Sequence, residues 1–235
     1  MKTFSLSSFR TLAFAPIIFL LILTTFSACK KEETASSVSY IRVVNVAPTL
    51  ATYYPFLNSA SVSSAALPYG GSTAFGPVSA GVSNLKFTTE NTAESVLTKS
   101  FSLTASTYNS FYLINKPGSL DGLLITDDLS LPSADKAYVR FINLSPDAPA
   151  LDLAKTGETT MLISNKNYKT SSGFIAVSPG TFTFDAKETA TGKTKVVSEN
   201  TTLLAGYHYD IICGGLANPA NDTERSLNLF VLTIK

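Results

Sequence analysis

The chain has 235 residues, of which 45% are hydrophobic and only 15% are charged. Its 18 basic side chains nearly balance 17 acidic ones, so there is no excess of positive charge to bind nucleic acid phosphates. Threonine, serine, valine and aromatic residues are prominent, a mixture that favours pleated strands over helices. The composition therefore predicts an all-β protein of the secreted type with no nucleic acid partner.

Residues 1–28 are predicted to be a cleaved signal peptide. Lys2 and Arg10 give a positive start, and an apolar run from Leu12 to Leu23 follows. This run is too short to span a bilayer, because a transmembrane helix needs about 20 apolar residues. We therefore expect the segment to be removed during export rather than to remain as a membrane helix.

The residues around Cys29 predict a lipid anchor. Phe26-Ser27-Ala28-Cys29 resembles the lipobox of bacterial lipoproteins, in which the cysteine is acylated and becomes the new N-terminus. The usual leucine at the first position is phenylalanine here, and the alternative is an ordinary signal peptide followed by an unrelated cysteine. Several acyl chains attach a protein to a membrane far more firmly than one chain does. We expect Cys29 to be the lipidation site and residues 29–38 to form the lipidated tether.

The tether also predicts where the protein is located. Lys30-Lys31-Glu32-Glu33 resembles the export signal with which some Gram-negative bacteria place lipoproteins on the outer face of the outer membrane. A solvated spacer is the equal alternative. We expect a lipid-anchored protein of the bacterial cell envelope, at the outer membrane, with the membrane as its first partner.

The rest of the chain contains an internal repeat. The run Tyr40–Pro48 recurs as Tyr138–Pro146, so that Arg42 matches Arg140 and Asn45 matches Asn143. Two further blocks recur in nearly the same register, with the pairs Tyr69/Tyr168, Phe75/Phe174, Val78/Val177, Ser79/Ser178, Gly81/Gly180 and Tyr108/Tyr207. A period near 100 residues is too long for a solenoid and matches a complete sandwich domain.

The repeat predicts two domains, at residues 39–130 and 137–235. The linker Leu131–Asp135 is short, which suggests that the domains touch. Strands are predicted where side chains alternate with a period of two or where β-branched and aromatic residues cluster. Besides the repeated arginine strand, they are Tyr53–Leu57, Val82–Thr88, Val96–Leu103, Ser110–Ile114, Leu123–Thr126, Leu151–Ala154, Thr181–Lys187, Thr194–Thr202, Tyr207–Cys213 and Leu227–Ile234.

The repeated segments also resemble a known family. The run Val139–Pro149 with Leu151-Asp152-Leu153, followed by the Pro179-Gly180 turn, is similar to domain of unknown function family 4397. The resemblance covers most of residues 40–235 and is strongest in the second copy. It implies tandem immunoglobulin-like or transthyretin-like β-sandwich domains in a bacterial cell-envelope protein, and no established activity. Many relatives carry histidine after the arginine strand, where this chain has Asn45 and Asn143.

Two residues are candidates for nucleophilic or acid–base chemistry. His208, the only histidine, shares a strand face with Asp210, but the chain has no Gly-x-Ser-x-Gly elbow, and the repeat aligns His208 with Asn109. Cys213 ends the same strand in an apolar setting and has no basic neighbour to activate it. We predict structural roles for both, and hence no enzyme.

Two kinds of binding site are open alternatives. Asp127, Asp128, Asp147 and Asp152 lie near the domain junction and could supply oxygens to calcium, although no calcium-binding loop motif is present. The second is a glycan platform of tyrosine rings, for which the candidates are Tyr53, Tyr54, Tyr108, Tyr112, Tyr207 and Tyr209. We expect no cofactor and no metal.

The predicted function is therefore a non-enzymatic binding, adhesion or assembly module of the cell envelope. Its partner is an unknown protein or, alternatively, a glycan. Because Arg42 and Arg140 recur in both copies, we expect each to pair with a carboxylate or with loop carbonyls inside its own sandwich. The partner-specific residues should then lie in loops where the two copies differ.

Overall fold

The computed structural model of the protein describes residues 37–89 and 94–234. This part of the chain is built of strands, turns and loops and contains no helix, so the predicted all-β class is confirmed. No helix of the described residues is therefore long and apolar enough to cross a membrane. The predicted signal peptide and Cys29 lie outside the described residues.

The strands up to Asp127 form a first β-sandwich. Its inner sheet has the order β4-β1-β7-β8, with β1 and β7 parallel, and its outer sheet has the order β3-β2-β5-β6. The strands are β1 (Val38–Asn45), β2 (Tyr54–Leu57), β3 (Ala60–Ser61), β4 (Gly76–Ser79), β5 (Gly81–Thr88), β6 (Leu97–Leu103), β7 (Tyr108–Ile114) and β8 (Asp121–Asp127).

The strands from Ala137 onwards form a second sandwich on the same plan. Its inner sheet has the order β12-β9-β18-β19, in which β9 and β18 are parallel and β13 also pairs with β9. Its outer sheet has the order β11-β10-β15-β16. The strands β14 and β17 form a separate two-stranded sheet. The strands are β9 (Ala137–Asn143), β10 (Leu151–Lys155), β11 (Met161–Lys166), β12 (Thr170–Ser171), β13 (Ile175–Val177), β14 (Gly180–Phe182), β15 (Phe184–Glu188), β16 (Thr194–Val197), β17 (Thr201–Leu203), β18 (His208–Gly214) and β19 (Asn228–Thr233).

Most strand predictions agree with these bounds, and the differences are of two kinds. The predicted runs Thr181–Lys187 and Thr194–Thr202 are each two strands separated by a short break. Five strands, β3, β4, β11, β12 and β13, were not predicted. Several of these are only two to four residues long and lie at sheet edges, where no buried face imposes alternation on the sequence.

Three hydrophobic cores hold the sandwiches together as one compact unit. Along β1, Ile41 and Val43 point into the core of the first sandwich, whereas Val44 on the opposite face packs between the sandwiches. The second sandwich has its own core around Phe141 and Ile211. A third core lies between the two inner sheets, and its buried residues are Val44, Val46, Tyr112, Ile114, Ile142, Leu144 and Ile212. The inner sheets are thus covered on both faces, which gives four layers.

The strand directions define two ends of the molecule. Both β1 and β9 start at one end, which we call the proximal pole; it carries Ser37, turns 104–107 and 204–207, and linker residues 128–136. At the opposite end, the distal pole, loops 46–51 and 115–120 of the first sandwich meet loops 144–150 and 215–227 of the second. There, Leu50 N donates to Thr223 O at 3.0 Å and Arg225 N donates to Pro48 O at 2.9 Å.

Candidate functional site

The strongest concentration of charge is buried between the sandwiches. Arg42, Tyr112 and Asp127 project from the first inner sheet, and Arg140 and Asp210 project from the second. Each of these side chains is at most 6% exposed. Strand alternation explains their meeting, because Arg42 shares a face with Val44, and Asp210 shares a face with Ile212.

Asp210 is the centre of this network. One of its carboxylate oxygens accepts hydrogen bonds from Arg42 Nη2 and Tyr112 Oη, and the other accepts one from Arg140 Nε at 2.6 Å. Arg140 Nη2 also lies 2.6 Å from Asp127 Oδ1 and donates to Tyr112 Oη at 2.9 Å. One carboxylate thus joins both arginines.

The two arginines have equivalent surroundings in the two sandwiches. Arg42 Nε donates to Ser110 Oγ at 2.7 Å, just as Arg140 Nε donates to Asp210, because β1–β7 and β9–β18 place Ser110 and Asp210 at equivalent positions. Each guanidinium also lies over a phenylalanine of the repeat, Arg42 over Phe75 at 5.6 Å and Arg140 over Phe174 at 4.6 Å.

The expectation that each arginine pairs inside its own sandwich is confirmed for Arg140 and wrong for Arg42. Arg140 pairs with Asp210 of its own sandwich and also reaches Asp127 of the first. Arg42 pairs with Asp210, a carboxylate of the second sandwich. The physical reason is that the arginine face of each inner sheet is turned towards the other sheet. In a buried interface each guanidinium needs a carboxylate, whichever sandwich supplies it.

The network is electrically neutral, with two arginines and two aspartates. Burial alone would lower the pKa of Arg42 and Arg140, but the negative charges of Asp210 and Asp127 outweigh it and raise the pKa of both. Burial raises the pKa of Tyr112, so its hydroxyl stays protonated and uncharged. Every charge has a partner and is almost completely buried. The arrangement is therefore suited to fixing the two sheets against each other rather than to binding a ligand.

His208 has a structural position next to this network. Its ring stacks on Tyr138 at 4.9 Å, meets the edge of Phe174 at 4.8 Å, and its Nε2 lies 3.1 Å from the carbonyl oxygen of Ser130 in the linker. His208 and Asp210 do share a face, as predicted, but Asp210 is held by both arginines.

The predicted alignment of His208 with Asn109 is wrong by one residue. β18 places His208 opposite Tyr138, while β7 places Tyr108 opposite Tyr40, and both pairs are stacked rings. His208 therefore occupies the position of Tyr108. The matching of Tyr108 with Tyr207 on residue type alone produced the error.

The thiol of Cys213 is packed in a hydrophobic core. Cys213 is fully buried in the core of the second sandwich, as the alternation in β18 predicts. Burial raises the pKa of its thiol to about 12, so the nucleophilic thiolate is scarce at neutral pH.

Two tyrosines of the repeat cross the interface, a role that the sequence alone did not reveal. Tyr69 Oη donates to Asn228 Oδ1 of the second sandwich at 3.0 Å, and Tyr168 Oη donates to Asn115 Oδ1 of the first. Burial and the charge of Asp121 raise the pKa of Tyr168 to about 12. Their recurrence in both copies could have indicated this role, because the two sandwiches face each other with equivalent surfaces.

The two asparagines that recur at the end of the arginine strand hold the distal loops. Asn45 Nδ2 donates to Leu67 O at 2.9 Å, and its Oδ1 accepts from Ala47 N at 3.0 Å. Asn143 repeats this arrangement with Lys166 O at 3.0 Å and Ser145 N at 3.2 Å. Both side chains are buried and fix the turn that follows the arginine strand.

The carboxylates considered for calcium do not meet. Asp127 belongs to the ion network, and Asp128 is exposed. Asp147 accepts hydrogen bonds from Ala217 N at 2.8 Å and Asn218 N at 2.9 Å, whereas Asp152 accepts them from Asn165 N and Thr189 Oγ1. No group of three potential ligands for a metal ion occurs in residues 37–89 and 94–234.

Most of the tyrosines considered for a glycan platform are built into the sandwiches. Tyr53, Tyr112 and Tyr209 are buried, and Tyr54 and Tyr108 are half-buried. Tyr207, at 42%, is the one exposed tyrosine of the ten in the chain, all of which are described.

Fold and network together define a tandem β-sandwich protein whose two copies dock face to face through buried arginines. Residues 39–154 match the model of a family described as Domain of unknown function (DUF4397), and the chain belongs to this family over those residues. The match covers the first sandwich from the second residue of β1 onwards and ends in β10. It therefore covers less of the second copy than the sequence resemblance predicted. No curated protein matches the chain.

Solved structures show weak likeness. One, titled "Alpha-glucan binding by a streptococcal virulence factor", has 13% identity and a TM-score of 0.26, over 81% of this chain and 96% of that one. The family CBM26 domain of Eubacterium rectale Amy13K in complex with maltoheptaose has 8% identity and a TM-score of 0.22, over 80% and 100%. A leucine-rich repeat protein from Bacteroides thetaiotaomicron has 11% identity and a TM-score of 0.18, over 81% and 27%. At these TM-scores the likenesses support no inference about function.

Proposed function

We propose that the protein is a non-enzymatic, lipid-anchored module of the bacterial cell envelope that presents its distal pole to a protein partner. The observation that carries this proposal is the position of the loops in which the two copies differ. These loops gather at the pole opposite Ser37, where the described chain begins.

Residues shared by the two copies build the scaffold, and residues that differ build the distal pole. Loop 215–227 is much longer than its counterpart, loop 115–120. Asp147, at the position where the first copy has Thr49, fixes the start of the long loop by accepting two of its backbone N–H groups. Lys116 of the first sandwich holds the far end of that loop through Glu224, with Nζ 2.9 Å from Oε1. Ordered loops on a rigid scaffold are typical positions for binding residues.

The surface of the distal pole suits a protein better than a sugar. A depression of about 440 Å³ between the sandwiches is lined by Thr49, Leu50, Ala51, Lys116, Pro117, Thr223 and Glu224. A second one, of about 520 Å³, lies on the other side of loop 215–227 and is lined by residues that include Pro146, Glu188, Lys195 and Asn218. No aromatic ring lines either depression, whereas Leu50 is 52% exposed and offers an apolar contact.

The structural roles of the reactive side chains support a non-enzymatic function. Asp210 is held by two arginines, the ring of His208 is packed between two aromatic rings, and the Cys213 thiol is packed in a core. A catalytic group needs access to substrate and a pKa near the working pH. The groups that sequence reasoning considered for chemistry instead stabilise the second sandwich and its contact with the first.

The proposal is tested by placing a photo-crosslinking residue at position 50 in cells that produce the protein. We expect discrete crosslinked adducts from position 50 on intact cells. The matched control places the same residue at Ser100, an exposed position on the edge strand β6. Adducts from position 100 but none from position 50 would refute the distal pole as the binding surface, as would the same adducts from both positions.

Glycan capture is the alternative function, and Tyr207 is the exposed ring that favours it. A glycan array probed with the soluble chain should give no consistent hits if the partner is a protein. Consistent hits that the Tyr207→Ala variant loses would instead establish the alternative.

A further inference from the structure

Exposed apolar side chains are concentrated at the proximal pole. Among the described residues, seven large hydrophobic side chains are exposed, and four of them lie at this pole: Val82 (74%), Leu131 (51%), Leu204 (52%) and Tyr207 (42%). Leu50 and Val96 lie towards the distal pole, and Val197 lies on the outer edge strand β16. A concentration of exposed apolar residues at one end of a molecule indicates a contact surface.

Backbone hydrogen bonds place these four residues at one end. Val82 follows Gly81, which pairs with Leu103 at the end of β6. In the turn after Leu103, Ser106 N donates a hydrogen bond to Val38 O at 2.8 Å, which places this turn next to the start of β1. Turn 204–207 reaches the start of β9 in the same way, with Gly206 N donating to Lys136 O at 2.7 Å. Leu131 follows Ser130, whose carbonyl oxygen contacts His208 next to that turn.

The described chain also begins at this pole. Ser37 O accepts a hydrogen bond from Ala80 N at 2.6 Å, directly next to Gly81 and Val82. Cys29 precedes Ser37 by eight residues, a distance that a fully extended chain covers in about 26–29 Å. A lipid on Cys29 would therefore keep the proximal pole close to the membrane surface, while the distal pole faces away from it.

We propose that the proximal pole is a membrane-contact surface, with Val82, Leu131, Leu204 and Tyr207 entering the interfacial layer of a phospholipid bilayer. This inference rests on the proposed lipid anchor. Tyrosine is enriched at membrane interfaces because its ring is apolar and its hydroxyl is hydrated. Four side chains bind a bilayer weakly on their own, but a short tether makes this contact intramolecular and raises its effective concentration.

The charges around the pole indicate that the contact depends on apolar burial rather than on electrostatic attraction. Asp128 and Asp135 are exposed, and Lys136 lies 3.8 Å from Asp135. These three residues do not form a basic patch of the kind that binds anionic headgroups. The contact should therefore form on zwitterionic phosphatidylcholine and should be insensitive to salt.

The chain contains no tryptophan, so one introduced tryptophan reports on one position. The test uses the full-length mature lipoprotein, purified from cells and reconstituted in phosphatidylcholine vesicles with or without brominated acyl chains, which quench tryptophan by contact. We expect bromolipid to reduce the emission of the Tyr207→Trp variant and the vesicle to shift that emission to shorter wavelength. The matched control is Leu50→Trp at the distal pole, which should keep its emission in both kinds of vesicle.

The outcomes separate this inference from the lipid anchor. If the wild-type protein does not float with vesicles, or if Cys29→Ala floats equally well with unchanged mass, the anchor is wrong. If the lipoprotein floats but bromolipid fails to quench Tyr207→Trp, or quenches Leu50→Trp equally, the membrane-contact surface is refuted. Protection of Tyr207→Trp from a water-soluble quencher without bromolipid quenching would show that a second copy of the chain covers this pole, which also refutes it.

Discussion

Asp210→Asn should destabilise the protein by about 3–5 kcal/mol, because it leaves two buried guanidinium groups with one carboxylate. Asp210 accepts hydrogen bonds from Arg42, Tyr112 and Arg140, and its side chain is fully buried. The asparagine amide has the same shape, but it turns two N–H donors towards groups that are themselves donors. The free energy of unfolding in urea measures the loss.

The matched control is Asp147→Asn, the same change at an exposed carboxylate that accepts two backbone N–H groups. Its cost should be about 1 kcal/mol, the value of ordinary hydrogen bonds. A double-mutant cycle with Arg42→Met gives a second measurement, since that change removes the excess positive charge left by Asp210→Asn. The double variant should be clearly more stable than the sum of the single losses predicts. Equal small losses for Asp210→Asn and Asp147→Asn would show that the network does not hold buried charge.

The sequence predicted the fold well because its signals are local. Alternation and the repeat indicated most strands and the sandwich class. Edge strands such as β4, which contains Gly76 and Pro77, were not predicted, because a strand at a sheet edge does not require an alternating side-chain pattern.

The interface was harder to predict because it depends on contacts between distant residues. Arg42 and Asp210 are 168 residues apart, and no periodicity reveals that the arginine face of one sheet meets that of the other. The polar partners also break the repeat: Ser110 occupies the position equivalent to Asp210, and Tyr112 the position equivalent to Ile212. An alignment of the two copies therefore finds the arginines and misses the carboxylates. The shared residues Tyr69 and Tyr168 show that recurrence across a repeat can mark a docking surface as well as a core.

The third core predicts that neighbouring residues of β18 have opposite roles. Ile211 packs in the core of the second sandwich, whereas Ile212 packs between the sandwiches, and both are fully buried. Ile212→Asp places an unpaired charge between the inner sheets, which costs several kcal/mol, but it leaves the other two cores untouched. We expect this variant to undock the sandwiches, so that the exposed linker 131–135 gains the mobility that protease cleavage requires, while both halves remain resistant fragments.

Ile211→Asp is the matched comparison, with the same change one residue away on the opposite face of the strand. It places the charge in the core of the second sandwich, so we expect protease to degrade that half and spare the first. Limited proteolysis with mass spectrometry distinguishes the two patterns, and small-angle scattering should report a larger radius of gyration for Ile212→Asp than for wild type. Identical digestion of the two variants would contradict three separate cores. Undocking also separates loop 46–51 from loop 215–227, which meet at the distal pole. Ile212 itself packs in the third core and not against the residues proposed to bind a partner. The Ile212→Asp variant therefore also shows whether partner binding at the distal pole needs both sandwiches.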